Sequence, residues 1–191
     1  MVNFNIGERE VGENQPCFIV AEAGINHNGD FELAKKLVDV AADAKADAVK
    51  FQLIEAKGLY VKDAGKFLTD FGDEVDIYKI WEQTEMAPSW INKLADYCAE
   101  KNIIFLSSVF EEKGVDVLND YVDAFKIASY ELTHIPLLIK ATKTMKPIIM
   151  SIGGAEIDEV REAIKIVKSQ GSNKILIMQC VAKYPMPVSS A

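Results

Sequence analysis

Apolar positions along this chain fall into short blocks that alternate between two spacings. The run Phe18 to Ala23 is apolar except for one carboxylate, Glu22, and gives way to the polar loop Asn26–Asp30. Short continuous apolar runs of this kind predict strands covered on both faces. Asn28, Gly29 and Asp30 supply turn and N-cap chemistry, and Phe31, Ala34, Leu37, Val38 and Ala41 then recur at helical spacing. The design repeats. Strands are predicted at Cys17–Ala23, Asp47–Gln52, Ile103–Ser108, Ala124–Ser129, Pro147–Ser151 and Lys174–Cys180. Helical stripes separate them: Ile91, Leu94 and Cys98, then Val115, Leu118 and Val122, then Leu137, Leu138 and Ala141 behind a Thr133 cap. Val160, Ala163, Ile164 and Val167 form the clearest of these stripes.

Two stretches depart from the rhythm. Phe4, Ile6 and Val11 flank Gly7 and Gly12, which predicts an edge hairpin or plug over residues 1–15. Leu53 to Thr84 is polar, carries Gly58, Gly65 and Gly72, and is longer than a structureless connector, so it is expected to be a functional lid or to hold short helices of its own. Within it Asp76–Glu82 has a helical pattern.

Strands alternating with helices imply a parallel sheet covered by helices. An open doubly wound sheet would place a glycine-rich turn of the GxGxxG kind directly after the first strand, and GINHNG is not one. A barrel instead predicts functional residues at the C-terminal ends of several strands, where Glu22, Lys50, Ser108, Lys126, Ser129 and Ser151 stand. The expected fold is therefore α/β of the (β/α)8 TIM-barrel type with about six βα units. Residues 1–191 are expected to be the N-terminal part of a single barrel domain, completed by further chain or by another chain.

Composition changes this picture little. Of 191 residues, 49% are apolar and 26% charged, as in ordinary globular chains. No apolar run approaches membrane-spanning length, and the polar start MVNFNIGEREVG lacks signal-peptide character, so a cytoplasmic location is expected. The net charge of −8 and the absence of a basic run argue against nucleic acid as a partner. Cys17, Cys98 and Cys180 have no metal or disulfide spacing and are expected to be buried free thiols. No metal-ligand set is legible around His27, which is expected to shape its loop, or around His134, expected to be exposed.

The strand-end residues suggest an anion site. Two ammonium groups, Lys50 and Lys126, with hydroxyls from Ser108, Ser129 and Ser151, can bind a phosphate and a carboxylate on one small molecule. Glu22 and Glu131 are the candidate acid or base groups, or else each pairs with a lysine.

The segments AEAGINHNGDFELAKKLVDVA, AVKFQ, DIYKIWE, FLSSVF, FKIASYELTHIPLL, KPIIMSIGGAEIDEVREAI and QCVAKYP, in this order, resemble the sialic acid synthase family, which makes N-acetylneuraminate, legionaminate and pseudaminate. The resemblance covers nearly the whole chain. It implies an eight-stranded phosphate-binding barrel, followed by a small antifreeze-like domain that reaches into the partner subunit of a homodimer. It also implies condensation of phosphoenolpyruvate with an N-acetylated amino sugar such as N-acetylmannosamine, aided by manganese or magnesium whose ligands are expected beyond residue 191. On matching positions, Lys50, Ser108, Lys126, Ser129 and Ser151 would bind phosphoenolpyruvate. Glu22 would be catalytic, contacting the aldehyde end of the sugar or positioning water, and Glu131 and Tyr184 would contact the sugar.

The sequence departs from the family pattern at four places. Tyr130 replaces a glycine after strand four, Ile152 replaces a hydroxyl residue after strand five, and Gln179 and Ala182 replace a histidine and an asparagine around strand six. A chain of six units is expected to be inactive by itself. Two other classes fit the same residues: a catalytically degenerate relative that binds a sugar phosphate or serves assembly, and an aldolase using Lys50 or Lys126 as a Schiff base.

Overall fold

A computed structural model describes residues 3–68, 72–182 and 188–190. The chain opens with the strands β1 (Phe4–Ile6) and β2 (Arg9–Val11), followed by β3 (Val20–Gly24), α1 (Phe31–Asp43) and β4 (Ala48–Leu53). The stretch after β4 holds α2 (Ala56–Leu59), β5 (Lys66–Leu68), β6 (Glu74–Asp76) and α3 (Ile77–Gln83). A 3-10 turn, Pro88–Trp90, leads into α4 (Ile91–Glu100), then β7 (Ile104–Val109), α5 (Glu112–Leu118), β8 (Phe125–Ile127) and α6 (Ile135–Thr142). The last elements are β9 (Ile148–Ser151), α7 (Ile157–Ser169) and β10 (Ile175–Met178). All six predicted parallel strands are present, within a few residues of their expected bounds, and among the described residues α-helices follow the first five of them, so the fold class is the α/β barrel type.

The chain forms two compact units, Ile19–Phe110 and the pair of segments Met1–Phe18 and Glu111–Ala191. In the first, β3, β4 and β7 run parallel with β4 in the centre, and the burial of Ala48, Val49, Phe51 and Leu53 shows β4 covered on both faces. α1 begins at Asp30, whose carboxylate accepts from the N–H groups of Glu32 at 2.8 Å and Leu33 at 3.2 Å. It buries Ala34, Val38 and Ala41, while α4 buries Ile91, Leu94 and Cys98, the stripes that periodicity predicts. Each fully buried aliphatic side chain contributes about 1.5–3 kcal/mol. At the edge of this packing, Tyr97 donates to Asp39 at 2.8 Å, and Lys101 meets the same carboxylate at 2.6 Å.

In the second unit β8, β9 and β10 run parallel with β9 in the centre, and β1 pairs with β2 as the expected antiparallel hairpin. α7 opens with a reciprocal capping box between Glu156 and Glu159. Two expectations are corrected. The N-cap of α6 is His134, not Thr133, and it makes no side-chain cap bond, because Pro136 in the first turn already removes one unpaired N–H. Val122 lies beyond α5, buried in the turn that follows it.

The Leu53–Thr84 stretch carries the short helices α2 and α3, as one of its two expected readings had it, and also the antiparallel pair β5–β6, which that reading did not include. Its β5–β6 hairpin keeps Phe67 and Leu68 exposed.

Candidate active site

β4 carries Lys50 between Val49 and Phe51, all three buried. Alternation turns Lys50 away from those neighbours, and parallel register sets Glu22 of β3 directly opposite it. Lys50 Nζ lies 2.6 Å from Glu22 Oε2 and donates to Ser108 Oγ of β7 at 3.2 Å. The Lys50 side chain is 8% exposed and that of Glu22 is 54% exposed. An irregularity in the β3–β4 pairing falls between Glu22 and Gly24, and Gly24 takes φ +54°. A Cβ on Gly24 would stand 3.2 Å from Glu22 Oε1, so glycine serves both the backbone turn and the space for this carboxylate.

His27 anchors the loop after β3, as its sequence position predicts. It is fully buried, packs edge-on against Trp90 at 5.6 Å between ring centroids, and lies 6.2 Å from Phe51. Nδ1 accepts from the Gly29 N–H at 3.1 Å, which places the ring proton on Nε2, an atom with no partner among the described residues. Burial lowers the His27 pKa below its ordinary value.

The other unit repeats the pairing of ammonium and hydroxyl. Lys126 of β8 donates to Ser151 Oγ of β9 at 2.5 Å and to the Ile127 carbonyl at 2.9 Å. Ser129 Oγ accepts from the Gly153 N–H at 3.0 Å and lies 3.3 Å from Cys180 Sγ. Gly153 fits closely here: a Cβ would come within 2.8 Å of Cys180 Sγ and 3.2 Å of Ser129 Oγ. Burial acts to raise the Cys180 thiol, but hydrogen bonds from Ser129, from the Gly153 and Ile152 backbone and from Ser151 outweigh it, so the thiol titrates below its ordinary value.

Glu131 lies largely buried, 3.3 Å from His134 Nδ1, so its partner is histidine rather than lysine. His134 is half-buried, not exposed as expected, because this contact holds it. Tyr130, which the resemblance sets at a glycine position, is 81% exposed. Tyr184 lies outside the described residues. The cysteine expectation holds for Cys98, whose thiol burial pushes up to about 12, but Cys17 is exposed and Cys180 half-buried. Cys180 is the residue that sequence reasoning passed over. Its signal was available, since it ends its apolar run as Ser151 ends another. Gln52 and Asn26, whose amides approach the Gly24 turn, were also passed over. Among the described residues no three His, Cys, Asp or Glu side chains gather into a metal-binding group.

The NeuB family model matches residues 37–191. The chain belongs to the NeuB family. It is 48% identical over 188 residues to the spore coat polysaccharide biosynthesis protein SpsE of Bacillus subtilis, covering 98% of this chain and 50% of that protein. It is 39% identical over 176 residues to an N,N'-diacetyllegionaminic acid synthase of Campylobacter jejuni, covering 88% of this chain and 52% of that one. Among solved structures, the N-acetylneuraminic acid synthetase of Leptospira borgpetersenii, in complex with citrate, superposes with a TM-score of 0.89 at 31% identity, covering 100% of this chain and 63% of that one. The chain thus spans about half the length of the curated relatives it matches. Among its described residues no helix is long and apolar enough to cross a membrane.

Proposed function

We propose that the whole protein is a nonulosonic acid synthase that condenses phosphoenolpyruvate with an N-acetylated amino sugar. The observation that carries this reading is the strand-end arrangement of Lys50, held at 2.6 Å by Glu22 and bonded at 3.2 Å to Ser108. A buried ammonium with a hydroxyl beside it is built to receive a compact anion, and the named synthases among the relatives supply the reaction class.

In this reading Lys50, Ser108, Lys126, Ser129 and Ser151 bind phosphoenolpyruvate, its charges balanced by the two ammonium groups. Carbon three of the enol attacks the aldehyde of the open-chain sugar, forming the new carbon–carbon bond, and the aldehyde oxygen takes a proton. Water adds to carbon two and loses a proton, for which Glu22 is the proposed acceptor or orienting group. The carbon–oxygen bond to phosphate then breaks, leaving a 2-keto acid and inorganic phosphate. Glu131 and Tyr184 contact the sugar. The divalent metal of the resemblance would polarise the aldehyde. Among the described residues no three His, Cys, Asp or Glu side chains gather to hold it. A homodimer and a cytoplasmic location belong to the same proposal.

The Schiff-base alternative has less support, because Lys50 is engaged with a carboxylate as an ammonium partner. The test is phosphate release from phosphoenolpyruvate by the whole protein, with manganese and a panel of N-acetylated amino sugars. Release that depends on one acceptor supports synthesis. Binding of phosphoenolpyruvate without release for any acceptor supports the degenerate, binding-only relative instead.

A further inference from the structure

We propose that Glu22 is a built-in counter-ion which the substrate anion displaces from Lys50, setting Glu22 free to act. The inference rests on the reading of the site given above and adds a displacement step to it.

The two members of the pair differ in their freedom. Lys50 is 8% exposed on the central strand β4 and cannot carry its charge to water, so it needs an anionic partner wherever it stays. Glu22 is 54% exposed on β3, the edge strand of its unit, and can turn into solvent at little cost. Exchange of one anion for another therefore moves Glu22 and leaves Lys50 in place.

The surroundings support the exchange. Ser108 Oγ accepts from Lys50, which leaves its own proton available to the incoming anion. Gly24 offers no side chain to pin Glu22 Oε1. The amides of Gln52 and Asn26 lie 3.8 and 3.9 Å from the Cβ position at Gly24, the point that Glu22 Oε1 approaches to 3.2 Å, so polar groups border the carboxylate on the side away from the lysine-bound oxygen. While Glu22 neutralises Lys50 it is withheld from the aldehyde end of the reaction. Once displaced, the same carboxylate stands free beside an occupied anion site.

Glu22→Gln keeps the shape and removes the competing charge. In calorimetric titrations with phosphoenolpyruvate at low ionic strength, this variant is expected to bind roughly 2- to 5-fold more tightly than wild type, the gain from removing a half-exposed ion pair. Ser108→Ala is expected to bind more weakly, which separates the effect from a general loosening of the site. In the whole protein, Glu22→Gln is expected to lower KM for phosphoenolpyruvate while lowering kcat. If wild type binds and Glu22→Gln binds equally or more weakly, the counter-ion role is overturned and the substrate reading survives. If wild type does not bind phosphoenolpyruvate, both are overturned.

Discussion

Ser151 stands two residues beyond Ile149, the register partner of Lys126, and accepts a hydrogen bond from that lysine at 2.5 Å. Ser108 bears the same relation to Lys50: it lies two residues beyond Leu106, the partner of Lys50, and accepts at 3.2 Å. Since side chains alternate along a strand, an offset of two returns to the same face one step nearer the strand's C-terminal end. Each unit thus builds an ammonium–hydroxyl pair by one rule. Ser108→Ala and Ser151→Ala are each expected to weaken phosphoenolpyruvate binding about 10-fold, the worth of a hydrogen bond to a charged group, as isothermal titration would show.

The unequal burial of Glu22 and Lys50 separates stability from binding. Lys50→Met replaces a buried ammonium by an apolar chain of similar length and leaves Glu22 half in water, so thermal melting is expected at or above the wild-type temperature. Glu22→Ala leaves the buried ammonium with a hydroxyl and is expected to melt lower. A Lys50→Met variant that unfolds would show that the ion pair holds the sheet together.

His27 couples the loop after β3 to pH. Its folded-state pKa lies below the ordinary 6.5, because burial disfavours the imidazolium. The unfolded chain therefore binds a proton that the folded chain does not. Stability from this site is fully present above pH 6.5 and is lost as pH falls from there towards the depressed value. Protonation would also turn Nδ1 from acceptor into donor against the Gly29 N–H. The expected slope is up to about 1.4 kcal/mol per pH unit below that point. Denaturant unfolding at a series of pH values should show it in wild type and a flatter profile in His27→Gln.

Reading the chain from its sequence recovered what periodicity controls. Strand runs and helical stripes gave the βα order, and alternation identified Lys50 and Lys126 as strand residues with a polar task. Sequence could not show that Glu22 lies opposite Lys50, since that pairing depends on strand register across residues far apart in the chain. The sequence marks Glu131 as an acid, a base or a partner of lysine, and shows its histidine partner three residues on only as a loop neighbour. The sequence groups Cys180 with the buried thiols because apolar flanks hide a polar role when the donors, Ser129 and Gly153, come from other strand ends.

The three cysteines should differ in reactivity. Cys98 is buried with its thiol raised to about 12, Cys17 is exposed, and Cys180 is half-buried with its thiol lowered. Mass-resolved alkylation by iodoacetamide near neutral pH is expected to label Cys17 and Cys180 and spare Cys98 in the folded protein. The Cys180 rate should fall in Ser129→Ala, which removes a donor to the sulfur.

Gly153 is limited by space. Its Cβ would meet Cys180 Sγ at 2.8 Å, so Gly153→Ala is expected to cost about 1–3 kcal/mol by overpacking. Adding Cys180→Ala should restore part of that loss, a coupling that chemical denaturation of the single and double variants would measure.

Direct titration of phosphoenolpyruvate into wild type and Lys50→Met, followed by calorimetry, bears on the claim that this strand-end lysine serves an anionic substrate. The expected result is saturable binding by wild type that is lost in a folded Lys50→Met protein. Equal binding by both, or none by wild type, would contradict it.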